Sequence, residues 1–355
     1  MTFTPEQDDL RAAVRSLLDR DPSPWPALCA QIGVAALTVP ERFGGLARSG
    51  TEPAAGSTSA STTEPTSTEP HDGAGLTEVQ IVAEELGRTL ADVPFLGSSV
   101  LAVTALLTTS SDAACQRLLP RLTERDTAAL AWTADGRWDP HRPAFEAEES
   151  TVDGTARYVL DANGADVLLA AARTPRGPVL FEIDPAAPGV RCEPVPTMDE
   201  TRHLATVTLD RVRAHPLGPV DLSRVRDVAC AVLAAEQAGA AARALQLTVE
   251  YSKQRVQFGR PIGSFQALKH RMADLHVLVE TARSAAYAAP GSPRLAAVAK
   301  VHCSEAFTKV AAEMIQLHGG IAITWDHPAH RYFKRAHAAA QLFGAPHHHL
   351  CRVRP

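Results

Sequence analysis

The run from Val228 to Arg255, VACAVLAAEQAGAAARALQLTVEYSKQR, contains no proline and is dominated by alanine. Alanine is the best helix former, so an uninterrupted run of this kind predicts one long helix. A second proline-free run, Leu295 to Gly320, predicts another. Long helices gain most of their stability by burying a face against neighbours. The C-terminal third is therefore expected to be a helical bundle, residues 219–355.

Upstream the period changes twice. Leu10, Val14, Leu17 and Leu18 recur at helical spacing before Pro22, Pro24 and Pro26 interrupt the chain. A further apolar stretch, Ile32 to Val39, runs into the turn-forming Gly44 and Gly45. Arg48 to Gly75 is rich in Ser, Thr, Glu, Pro, Ala and Gly and repeats Thr-Glu-Pro at Thr51, Thr63 and Thr68. It offers no apolar face and predicts a disordered surface insertion, 48–75. Helical patterning returns with Leu76, Val79, Ile81, Val82 and Leu86. From Ala128 five short β-rich runs, AALAWT, ARYVLDA, DVLLAAA, PVLFEI and ATVTLD, are separated by Gly, Pro and Asp. They predict a compact β domain with antiparallel connections. The expected fold is α+β: an N-terminal helical domain (1–127), a middle β domain (128–218) and the bundle.

Bulk properties exclude several functions. A net charge of −5 provides no basic field for nucleic acid. The six cysteines are scattered with no CxxC pair, which suggests neither a zinc site nor a redox dithiol. MTFTPEQDDLRAAVRSLL carries early acidic residues and reads as an amphipathic helix, not a signal peptide. No stretch was expected to supply the ~20 apolar residues of a membrane span. A cytoplasmic protein is expected. His347, His348 and His349 invite a metal reading, but adjacent histidines on a helix cannot all face one ion and no acidic or cysteine cluster accompanies them. A solvated tail and no metal are expected there.

Two motifs lie in the predicted bundle. Arg255-Val-Gln-Phe258-Gly259 leads through Gly263 to Gln266, and Gln316-Leu-His-Gly319-Gly320 ends the second long run. With Val39-Pro-Glu41, Gly44-Gly45 and Glu84-Glu-Leu-Gly87, they resemble the acyl-CoA dehydrogenase family of flavoproteins. AAEQAG, RVQFGRPIGSFQALKHR, EMIQLHGG and HRYFKRA are similar to its actinobacterial group acting on CoA thioesters of steroid side chains, many of which pair two unlike chains as α2β2. The resemblance spans nearly the whole chain outside the 48–75 insertion. It implies FAD as cofactor, with Arg255, Gln257, Phe258, Gln266, Gln316, Gly319 and Gly320 reaching the dinucleotide of a neighbouring subunit. A pyrophosphate needs a fixed cation and close backbone donors, which an Arg and paired glycines suit. Without a ligand, the same residues read as a helix-end cation and a helix C-cap.

The sequence also departs from the family. Its usual base, a Glu in a Tyr-Glu-Gly-like turn, falls at Gly344. Some relatives carry the carboxylate on the long helix, where Glu236 is the candidate, about two turns beyond the expected position near Ala229. The alternatives are a base on a partner subunit, or no dehydrogenation. The family's T-E-P-G-x-G-S-D stretch reads Ala131 to Asp139, leaving Thr133 and Gly136 as matches; Thr133 is the flavin contact implied in the chain's own β domain. The resemblance implies α,β-dehydrogenation of an acyl thioester of CoA or a carrier protein. Electrons would pass to an electron-transfer flavoprotein, within a homo- or hetero-oligomer. The rival is a non-catalytic partner subunit that completes a neighbour's flavin site; an oxidase or hydroxylase on the same scaffold is the third reading.

Overall fold

The computed structural model describes residues 3–21, 24–47 and 73–353. The expected insertion therefore lies outside the described residues up to Asp72. From Gly73 the chain is already helical, sooner than the sequence suggested.

The first domain comprises α1 (Pro5–Leu18), the single turn α2 (Trp25–Ala27), α3 (Gly73–Thr89), α4 (Val103–Thr108) and α5 (Asp112–Glu124). A capping box starts α1: the Thr4 hydroxyl accepts from the Gln7 amide and the Gln7 side chain returns to the Thr4 amide. A π-helical stretch, Phe95–Ala102, leads into α4 and is buried throughout.

Eight strands follow: β1 (Ala128–Ala131), β2 (Phe145–Glu148), β3 (Thr151–Leu160), β4 (Val167–Thr174), β5 (Gly177–Ile183), β6 (Val190–Val195), β7 (Leu204–Arg213) and β8 (His215–Pro219). Their order is β6-β7-β3-β2-β4-β5-β8, with β1 on β4. The sequence revealed β1, β3, β4, β5 and β7. It missed β2, β6 and β8, whose short, polar or proline-containing segments lack a continuous apolar signal. The sheet is also mixed: β1 and β2 both run parallel to β4. The central strands are covered on both sides. Ala128, Leu130 and Trp132 join the core shared with the helices, and Ala129 and Ala131 the core inside the β domain.

The bundle contains α6 (Leu222–Gln254), a small hairpin of β9 (Val256–Gln257) and β10 (Arg260–Pro261), then α7 (Gln266–Ala288), α8 (Pro293–His318), α9 (Ala329–Gln341) and α10 (Pro346–Val353). The 33 residues of α6 extend about 50 Å at 1.5 Å per residue. By length and composition α6 would suffice to cross a membrane, which the sequence reading did not anticipate. Yet 89% of its most apolar window is buried inside the protein, where α3, α7 and α8 surround it.

Where α3 crosses α6, two glycines are indispensable. A Cβ on Gly87 would stand 2.0 Å from the Glu236 carbonyl oxygen, and one on Gly239 would stand 1.9 Å from that of Glu84. Each helix thus presses a glycine against the other's backbone. Gly239→Ala must push the helices apart and should cost stability at or above the upper end of the about 1–3 kcal/mol typical of overpacking. Gly320→Ala, with nothing within 4 Å of its Cβ, should leave urea denaturation unchanged.

Candidate functional site

The two motifs meet at one end of the bundle. Tyr251, one turn before Arg255, stacks on His318 with ring centroids 4.4 Å apart and donates its hydroxyl to the His318 carbonyl. Arg255 caps α6 with its guanidinium exposed and without an ion pair among the described residues. Gln257, Gln266 and Gln316 of the same two motifs are also exposed, and Phe258 is 92% exposed with a left-handed φ of +54°. Gly319 ends α8 at φ +66°. Gly320 has no left-handed backbone and no internal neighbour, so nothing inside the chain explains its missing side chain. A bare backbone beside a free cation and three amides suits the close approach of a dinucleotide from outside. Ile323 and Trp325, each 77% exposed, extend this end as an apolar face.

The surroundings of Thr133 are different. Thr133 follows β1 and is 2% exposed. It lies beside an aromatic pack: Trp132 on Trp138 at 5.3 Å, and Trp138 on Phe343 at 5.1 Å, both edge to face. Trp138 and Phe343 are fully enclosed. Gly344 has φ +98°, and a Cβ there would stand 3.0 Å from His349 Nε2 and 3.1 Å from the Arg137 carbonyl oxygen. This turn, where the resemblance would place a base, is fitted to a glycine: a side chain would be crowded by both neighbours and held at a left-handed φ. His349, expected in a solvated tail, faces inward from α10 and is buried.

Glu236 also has other work than the sequence suggested. Its neighbours in sequence are mainly Ala and Gly, which give a carboxylate little side-chain cover. Instead its Oε1 accepts from Arg202 Nη2 at 2.6 Å and from Arg335 Nη1 at 2.8 Å. Arg335 further pairs with Asp199 at 2.7 Å and donates to the Thr201 carbonyl and hydroxyl. This buried network joins the β6–β7 connection, α6 and α9. A carboxylate engaged by two guanidinium groups from its own chain is poorly placed to take a substrate proton. Arg202 lies in no motif, and Arg335, although inside HRYFKRA, carried nothing that marked it as a partner of Glu236.

Asp161, next to this network, follows β3 at φ +56° and lies against Gly97 of the π-helical stretch. Burial pushes its carboxyl up to about 7, against the attraction of Arg202 and His203. The side chain helps line a small internal cavity with Arg202 and Glu236, and also an open groove of about 780 Å³.

A raised acid pKa means that the folded protein keeps a proton the unfolded chain has lost. Stability is therefore drained as pH rises from about 4 to about 7. Asp161→Asn removes this penalty. Its melting temperature should exceed the parent's by several degrees at pH 8 and by progressively less towards pH 5. A gap independent of pH would show that Asp161 does not titrate in this window.

Comparison with known proteins bears on the whole chain. Residues 227–350 match the family model "Acyl-CoA dehydrogenase, C-terminal domain". Acyl-CoA dehydrogenase IpdE2 of Mycolicibacterium smegmatis is 40% identical over 97% of this chain and 91% of its own. A structure of the Tcur3481-Tcur3483 steroid ACAD, in variant form, superposes with a TM-score of 0.83 at 29% identity over 98% of this chain and 96% of that one. The ChsE4-ChsE5 complex from Mycobacterium tuberculosis gives 0.81 at 26% over 99% and 97%. The chain belongs to the acyl-CoA dehydrogenase family.

Proposed function

We propose that this chain is one subunit of a cytoplasmic acyl-CoA dehydrogenase assembly, and that it completes a flavin site whose other wall is the β domain of a neighbouring chain. The observation that carries this is the contrast between its two candidate surfaces. Arg255, Gln257, Phe258, Gln266, Gln316, Gly319 and Gly320 stand exposed together, while Thr133 is sealed beneath aromatic side chains. The cofactor is FAD, which supplies the acceptor for a hydride from the acyl β-carbon. Arg255 neutralises the pyrophosphate, and Gly319 and Gly320 let the backbone approach it. The neighbour is a second, unlike dehydrogenase chain, in keeping with the ChsE4-ChsE5 complex and the Tcur3481-Tcur3483 structure. The substrate is a CoA thioester of a bulky acid, the steroid class named for one of these relatives. Electrons leave to an electron-transfer flavoprotein.

The base for the α-proton belongs to the partner chain on this reading. Gly344 cannot supply it, and Glu236 is held by Arg202 and Arg335. Glu236→Gln leaves two buried guanidinium groups without their shared carboxylate. That should cost about 3–5 kcal/mol, seen as a lower melting temperature. The rate of flavin reduction per bound flavin should stay near the parent's. A fall of about 100-fold with the melting temperature intact would restore Glu236 as the base.

Arg255→Ala tests the flavin assignment directly. In the assembly purified with its partner, flavin content should drop while the melting temperature of the apo chain is unchanged. Unaltered flavin content would remove these motifs from the cofactor site.

A further inference from the structure

The aromatic pack beside Thr133 is held in an unusual way. Trp138 has φ +56° and Phe343 φ +59°, left-handed conformations that cost a bulky residue about 1–2 kcal/mol each. These strained residues touch each other across the boundary between the β domain and the bundle. Backbone strain of this kind persists only where the surroundings over-determine it. Two buried basic side chains supply that constraint on either side of the turn 342–345.

Before the turn, Lys300 of α8 is fully buried. It donates to the Ala339 and Ala340 carbonyls at 3.0 Å each and to Ser304 Oγ at 3.1 Å. All three ammonium protons are used, two of them on carbonyls at the C-terminal end of α9. Ser304 is in turn bonded to Gln237 of α6. After the turn, Arg352 Nη1 lies 3.1 Å from His349 Nδ1, and His349 Nε2 lies 2.9 Å from the Phe343 carbonyl oxygen. An arginine can only donate, so Nδ1 accepts and the ring proton sits on Nε2, bonded to Phe343. The imidazole is therefore neutral, as its burial also favours. Arg352 is itself anchored to Asp227 and to the Pro293 carbonyl.

We infer that the Trp132–Trp138–Phe343 stack is a plug sealing the seam between the β domain and the bundle, and that Lys300 and His349 latch the turn bearing Phe343 against it. The C-terminal helix α10 is then a clasp for the turn, positioning it without touching any reacting group. The inference rests on this packed seam alone. It stands whether or not the exposed end serves a neighbour's flavin.

The test uses the full chain without flavin or partner, so its failure and that of the flavin assignment are separable. Trp25→Phe and Trp325→Phe leave Trp132 and Trp138 as the only indole reporters. In this background acrylamide quenching should be weak. His349→Ala, which frees the Phe343 carbonyl and one Arg352 donor, should raise the quenching constant by about threefold through local opening. Lys300→Met should act in the same direction, and His349→Gln, which keeps a donor for Phe343, should recover part of the protection. Strong quenching in the background protein, or unchanged quenching in a folded His349→Ala variant, would overturn the inference. Should that variant unfold, hydrogen exchange of the parent chain decides. Amides of 343–353 that open together below the global unfolding free energy support a latch; exchange only through global unfolding overturns it.

Discussion

The crossing of α3 and α6 is the constraint around which the three domains are arranged. Gly87 and Gly239 each admit the carbonyl of the other helix's glutamate, so Glu84 and Glu236 are neighbours in backbone but point their side chains apart. Glu84 reaches Arg283 of α7 at 2.9 Å and Tyr287 at 2.6 Å, and Arg11 of α1 at 3.2 Å. Glu236 reaches Arg202 and Arg335. One contact between two backbones thus feeds two ion networks. The first binds the N-terminal helices to the bundle, and the second binds the β domain to it. Buried networks of this kind add little net stability over an apolar core, and their value lies in allowing one arrangement only.

The sequence made the long helices legible because nothing in them competes with helix, and it made five strands legible because their apolar runs are continuous. It also marked the two segments that Tyr251 and His318 bring together, through motifs rather than through periodicity. The partners of Glu236 were not legible. Arg202 is 34 residues away and Arg335 is 99, and an arginine in isolation reads as surface. A carboxylate among alanines looked like a gap awaiting a ligand. Its true neighbours arrive from two other elements, which no local pattern encodes.

The tail histidines show the same limit. Three adjacent histidines suggested solvent, because composition treats them alike. In a helix, successive side chains point about 100° apart, so neighbours in sequence need not share an environment. His347 and His348 meet edge to face with ring centroids 4.1 Å apart. His349 turns inward to the Phe343 carbonyl. Its role depends on where α10 lies, and that is set by Arg352 reaching Asp227 of α6, 125 residues earlier.

The exposed end of the bundle carries costs that contacts among the described residues offset only in part, Phe265 meeting Phe258 edge to face and Lys334 lying over Trp325. Phe258 holds a left-handed backbone while leaving its ring in water, and Ile323 and Trp325 add large apolar surface nearby. Burying one such side chain is worth about 1.5–3 kcal/mol, and isolated exposure of a single ring needs no explanation. Here, however, strain, exposure, a free guanidinium and an unexplained glycine coincide within two motifs. On the proposed reading, each becomes favourable when another surface with a phosphate-bearing ligand covers this end. The aromatic pack around Thr133 has the opposite character: its rings are buried against one another, and the group it leaves unpaired, the indole N–H of Trp132, is sealed inside. That contrast between an end with exposed apolar surface and a closed interior is what the proposed assembly would resolve.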